Sequence, residues 1–135
     1  MKFEEGKKFI RREIHDFFRG QRQGGISTPA NHPIIFLFTG DQGGKYGYQD
    51  GWTNNNFLYT GEGQQGDMAF VRGNRAVRDH VINGKELHLF KYVSSGIVEY
   101  IGQMIFINYE YCDAPDISGN TRKAIVFHLS PIDTL

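Results

Sequence analysis

The stretch Tyr46-Gly47-Tyr48-Gln49-Asp50-Gly51-Trp52, followed by Phe57-Leu58-Tyr59-Thr60-Gly61, sets aromatic rings around one carboxylate and spaces them with glycines. Such a set suits a grip on a planar heterocycle. Rings stack on its faces, and the carboxylate with backbone amides reads its edge. An ionised carboxylate only accepts hydrogen bonds. Asp50 therefore favours a base that presents an amino group, such as cytosine through N4, and is repelled by the carbonyl oxygen of thymine. The plainer alternative is a loop whose tyrosines cover a sheet edge or serve an interface. Composition alone leaves both open.

Other residue types that do chemistry carry weaker patterns. The five histidines, His15, His32, His80, His88 and His128, match neither a helical i, i+4 pair nor the short ligand pairs of a zinc site. They read as scattered structural or surface residues, with no metal and no cofactor expected. Nor do they form, with asparagine, the cluster that an HNH nuclease uses. Gly61-Glu62-Gly63-Gln64-Gln65-Gly66 has the outline of a dinucleotide fingerprint. The context is wrong, because Asp67 to Val71 reads as strand where a helix should start. Cys112 has no second cysteine to pair with and reads as a small, partly buried side chain in a reducing compartment.

The elements that must position these residues read as mainly β with flanking helices. Phe9, Ile10, Ile14, Phe17 and Phe18 share one face of a helix expected from Glu4 to Phe18. A polar, basic break follows over Arg19 to Gly25. Ile34 to Phe38 is a continuous apolar run of the buried-strand type. Further strands are expected at Phe57–Tyr59, Met68–Val71, Leu87–Val93, Ile97–Tyr111 and Ala124–Leu129, with a short helix through Ala76, Val77, His80 and Val81 ended by Asn83-Gly84. The expected architecture is one α+β domain over residues 1–135, a strongly bent sheet or partial β-barrel, in which 1–20 is the helix and lead-in.

Charge adds a constraint. The 135 residues hold 15 Lys+Arg and 15 Asp+Glu, so the net charge is zero. That excludes a globally basic nucleic-acid binder. The zero is a cancellation between blocks, however: 1–40 and 68–91 each carry +3, while 41–67 and 92–135 each carry −3. No apolar run approaches the ~18 residues that span a bilayer. Met1 to Lys8 has no hydrophobic signal region, so a cytoplasmic protein away from membranes is expected.

Phe57-Leu58-Tyr59-Thr60-Gly61-Glu62-Gly63, with Asp67 shortly after and Asn74-Arg75-Ala76 beyond, resembles the SRA (SET and RING-associated) domain. That family carries a Phe-x-Tyr-Thr-Gly-x-Gly strand and turn, then an Asn-Arg-Ala helix start. Gly84 to Leu89, Tyr100 to Met104 and Val126 to Leu129 line up in order with later strands of the family. The resemblance runs from about Gly25 to Pro131. It is nearest to the SRA-like N-terminal domains of bacterial modification-dependent HNH restriction endonucleases, and it implies an SRA/PUA-like fold.

The resemblance further implies a reader of double-stranded DNA that flips a 5-methylcytosine or 5-hydroxymethylcytosine into a pocket between two rings. The family's aspartate lies nine residues before the motif tyrosine, which here pairs Asp50 with Tyr59. Asp50 would accept from the cytosine amino group, Tyr59 would stack, and Thr60 with Gly61 would line the pocket. The second family tyrosine falls on Gly47, bracketed by Tyr46 and Tyr48, either of which can supply the ring through a shifted loop. Gln64 to Gly73 is too short for the basic finger of eukaryotic members, so a preference for hemimethylated sites is not carried over. Arg19, Arg22, Gln23, Arg72, Asn74, Arg75 and Arg78 are the candidates for the DNA backbone and groove. The chain alone is expected to be non-catalytic and monomeric, the recognition part of a nuclease. Rival expectations are a PUA-like module for RNA or modified RNA, and an enzyme acting on a nucleoside-like ligand.

Overall fold

The computed structural model describes residues 1–40 and 50–132. Among these, ten elements follow in the order β1 (Lys8–Ile10), α1 (Arg11–Phe18), β2 (Ile26–Ser27), β3 (Ile34–Thr39), β4 (Gly51–Thr53), β5 (Asn56–Thr60), α2 (Arg72–Arg78), β6 (Glu86–Ser94), β7 (Ile97–Pro115) and β8 (Thr121–Pro131). The strands form one open mixed sheet in the order β2-β3-β6-β7-β8-β5-β4, with β1 paired to β7 off that path. The mainly β class with two helices is what the sequence led one to expect.

The apolar run in β3 has a simple cause. β3 runs parallel to β6, with Ile35 opposite Leu87 and Phe38 opposite Phe90, and the sheet separates two cores here. Ile35, Leu37, Leu87 and Leu89 face one core. Phe36, Phe38 and Phe90 face the other, where Ile14 and Phe18 of α1 meet them. A strand buried on both faces has no polar alternation to show. β7 joins the halves of the sheet, its first part pairing β6 and the remainder pairing β8. It bends where the register slips between Leu89 and Phe90, beside Gly102 at φ 153°, a backbone region that glycine adopts most easily.

Three expected elements differ. The first helix begins at Arg11, not Glu4. Gly6 turns the chain at φ 85°, and Lys8–Ile10 then pairs antiparallel with Ile97–Glu99. Phe9 still contributes to the aromatic core, but from a strand. The second helix runs from Arg72 to Arg78, which leaves Ile82 88% exposed beyond its end. Met68–Val71 forms no strand. The Met68 N–H donates to the Lys123 carbonyl at 2.9 Å, and the Ile125 N–H donates back to the Met68 sulfur at 3.2 Å, so the segment is tied to β8 irregularly. No helix among the described residues is long and apolar enough to cross a membrane.

Candidate functional site

A cleft of about 740 Å³ opens beside the ends of β3 and β5. Phe38, Thr39 and Gly40 contribute from β3 and its exit, Tyr59 to Gln64 from β5 and the following turn, and Gln23 to Ile26 from the lead into β2. Arg11, Arg12 and His15 of α1 and Arg22 complete one side.

Asp50 sits in this cleft, just before β4. Its Oδ1 accepts the Thr60 N–H at 2.7 Å and its Oδ2 accepts the Thr39 hydroxyl at 2.5 Å. Burial raises its carboxyl above the usual value, while the bonds from Thr39 and Thr60 oppose that rise. Tyr59 is 2% exposed, and its hydroxyl donates toward the carbonyls of Gly25 at 2.7 Å and Phe38 at 3.1 Å. Burial pushes that hydroxyl well above the ordinary tyrosine value, and the charges of Asp50 and Glu62 push it further. Gly25 must stay small, because a Cβ there would come within 2.5 Å of the Tyr59 hydroxyl.

The turn after β5 is held by α2. The buried Asn74 side chain accepts the Glu62 N–H at 2.8 Å and donates to the carbonyls of Glu62 at 2.8 Å and Ala69 at 3.0 Å. A Cβ on Gly61 would approach the Asn74 Oδ1 to 2.7 Å. Glu62 itself lines the cleft and accepts the Gly73 N–H at 3.1 Å. Burial raises its carboxyl, with the Gly73 bond and the Arg72 charge opposing. Arg11, Arg12 and Arg22 also line the cleft. His15 is fully buried, and its Nδ1 lies 2.8 Å from the Arg19 carbonyl, which can only accept. Nδ1 therefore carries the proton, and Nε2 accepts from Arg11 Nε at 3.0 Å. Burial lowers the His15 pKa; the bond to the Arg19 carbonyl opposes this and the Arg11 and Arg22 charges add to it, with a net fall that keeps the ring neutral near pH 7.

The sequence matches the ScoMcrA-like SRA domain family over residues 5–135. The chain belongs to the SRA family. Among solved structures, the sulfur-binding and SRA domains of ScoMcrA complexed with phosphorothioated DNA give a TM-score of 0.79 at 22% identity, covering 99% of this chain and 41% of that one. The type IV phosphorothioation-dependent restriction endonuclease ScoMcrA gives 0.78 at 22%, over 99% of this chain and 25% of that one. The SRA domain of SUVH5 in complex with hemimethylated CG DNA gives 0.73 at 18%, over 99% of this chain and 91% of that one. The SRA domain described here thus spans less than half of either ScoMcrA chain. At these identities the likeness concerns the fold. A comparison with curated proteins found no match.

Within this SRA domain, Asp50, Tyr59, Thr60 and Gly61 come together at the cleft, and Arg22 and Gln23 join its rim. Tyr46, Gly47 and Tyr48 lie outside the described residues. The other proposed contacts sit elsewhere. Arg19 borders a separate shallow groove near Phe18 and His32. Arg72 and Arg75 are exposed on α2. Arg78 is engaged with Asp79 at 2.7 Å and stacks over Phe70 at 4.8 Å. Asn74 is 1% exposed and committed to the turn, so its side chain faces no solvent-borne partner. Arg11, Arg12, His15 and Glu62 are cleft residues that sequence reasoning missed. Arg11 and His15 lay inside the expected helix, and no feature of the sequence marked them.

Proposed function

We propose that this SRA domain is a non-catalytic reader of modified cytosine, 5-methylcytosine or 5-hydroxymethylcytosine, in double-stranded DNA, and that it takes the base out of the duplex into the cleft. The observation that carries this reading is Asp50. One carboxylate is oriented by the Thr39 hydroxyl and the Thr60 N–H inside a cleft floored by Tyr59, and it has lone pairs left to accept from the cytosine amino group. Thr60 and Gly61 bound the base, and Tyr59 offers its ring. Tyr46 or Tyr48 supplies the second ring.

Magnitudes are consistent with this. Extruding a base costs a few kcal/mol. One stacked ring returns about 1–3 kcal/mol per base, and a bond to an ionised group about 1.5–3 kcal/mol. Burying one methyl adds only ~0.8 kcal/mol, so discrimination must also draw on pocket shape and on the ease of extruding the base.

The complexes of ScoMcrA and SUVH5 with modified DNA, and the naming of ScoMcrA as a restriction endonuclease, support a role as the recognition domain of a modification-dependent nuclease whose cutting chemistry lies elsewhere in a longer protein. The test is a titration of matched duplexes carrying C, 5-methyl-C or 5-hydroxymethyl-C. The modified duplexes should bind more tightly, and Asp50→Ala should erase the difference. An unchanged preference in Asp50→Ala would sink the pocket assignment.

A further inference from the structure

Arg11, like Arg122, is a buried cation that lines the cleft; it is only 6% exposed. Its guanidinium carbon lies 3.8 Å from the centroid of the Phe38 ring, flat against an aromatic residue of the same cleft. Its hydrogen bonds go to neutral groups alone: Nε to His15 Nε2 at 3.0 Å, Nη1 to the Tyr92 hydroxyl at 2.6 Å, and Nη2 to the Gln21 carbonyl at 3.3 Å. A guanidinium has five N–H donors, so one on each Nη is left over. No carboxylate among the described residues pairs with it. A buried cation without a counter-ion is costly, and buried charges are ordinarily paired.

Its neighbours offer no relief. Arg12 and Arg22 stand on the same side of the cleft, and Arg22 already holds Asp16 at 2.9 Å. Asp50 and Glu62 line the same cleft, as does Arg122 of β8, whose Nη1 donates to the carbonyls of Gly63 and Gly66. The cleft thus holds both cations and carboxylates. A nucleotide offers a partner to each, an amino group on the cytosine edge and a phosphate on the backbone.

We propose that Arg11 takes the backbone phosphate next to the extruded nucleotide, whose base edge is at Asp50. This deepens the base-flipping reading and rests on it. Arginine suits the position because its planar fork can hold two phosphate oxygens while its face stays on Phe38. The neutral His15 then serves as a positioning residue, orienting the guanidinium through Nε without competing for the anion.

The test uses the unaltered protein and duplexes with one 5-methylcytosine in which a single phosphate is replaced by an uncharged methylphosphonate: immediately 5′ of the modified nucleotide, immediately 3′ of it, or several steps away. One of the two adjacent replacements should weaken binding roughly tenfold or more, and the distant one should do so far less. In Arg11→Gln the same adjacent replacement should cause no further loss, and the slope of log K against log salt should shrink by about one. Arg11→Lys should recover part of the affinity, since it keeps the charge without the fork. Thermal melting identifies a variant that fails to fold, in which case the unaltered protein and Arg11→Lys decide. If neither adjacent replacement weakens the unaltered protein, or if its effect simply adds to that of Arg11→Gln, the proposal is overturned. A missing preference for methylated over plain duplex defeats the base-flipping reading instead. An intact preference with no linkage effect defeats only the Arg11 assignment.

Discussion

At Asp50 two opposing influences meet. Burial favours the neutral carboxyl, and the donors from Thr39 and Thr60 favour the carboxylate. Burial dominates, so Asp50 takes up a proton at a higher pH than an ordinary aspartate. The ionised form is the one that accepts from an amino group. Preference for modified cytosine should therefore be full near neutrality and decline as the pH falls, starting above the ordinary aspartate range. Anisotropy titrations at stepped pH would show it, and a preference constant down to pH 4 would count against Asp50 as the reader. Tyr59→Phe separates ring from hydroxyl. It keeps the aromatic face but strips the carbonyls of Gly25 and Phe38 of a donor. A loss of about 1–3 kcal/mol in stability is expected, read by urea denaturation, with the preference for modified duplex retained. Asp50 and Tyr59 were singled out in the sequence by the aromatic, glycine-spaced stretch around them and by the resemblance to the SRA motif. Arg11 was not, because a charged residue within an expected helix looks the same in sequence whether it faces solvent or a cleft.

Among the elements, the turn after β5 is the one the cleft depends on, and it is braced from two directions. Asn74 of α2 holds it at Glu62. The β7–β8 turn and the start of β8 hold it further on: Asp116 accepts the Gly66 N–H at 3.1 Å, the Ile117 N–H donates to the Gln64 carbonyl at 2.8 Å, and Arg122 of β8 donates to the carbonyls of Gly63 and Gly66 at 2.9 Å each. Asn74→Ala should destabilise the domain by about 1–3 kcal/mol, because it removes the side chain that bonds both the N–H and the carbonyl of the partly buried Glu62. The drop should appear in the melting curve. Asp116→Ala should speed hydrogen exchange at the Gly66 amide while leaving the β8 amides slow, and equal acceleration throughout would mean that Asp116 supports the whole sheet. The Asn-Arg-Ala segment therefore matters here through a buried amide that holds the turn. A motif read in sequence names a residue type but not whether its side chain points in or out.

For the whole molecule, buried histidines set a pH limit. His15 and His80 are both lowered from the ordinary value of 6.5, burial being the first cause in each. Each ring stays neutral in the fold at a pH where the unfolded chain would already bind a proton. The stability they lend is therefore complete above about pH 6.5 and is lost as pH falls below that value toward their folded values. Melting temperature should be flat above pH 7 and drop between pH 6.5 and 5, as calorimetry would show. A rise on acidification through this window would contradict the assignment.

Periodicity in the sequence by itself showed the mainly β class and the apolar strands of the core, because it is a local property of the chain, whereas the nine-residue separation of Asp50 and Tyr59 took its meaning from the resemblance to the SRA family. The segmental charge blocks were visible too, beneath a net charge of zero. Which arginines face the cleft was decided by tertiary structure alone. Arg11 lines it from the first residue of α1, whereas Arg72, Arg75 and Arg78 lie on α2 and do not line it. Long-range strand pairing chooses the face each side chain presents, and no window of neighbouring residues contains that information.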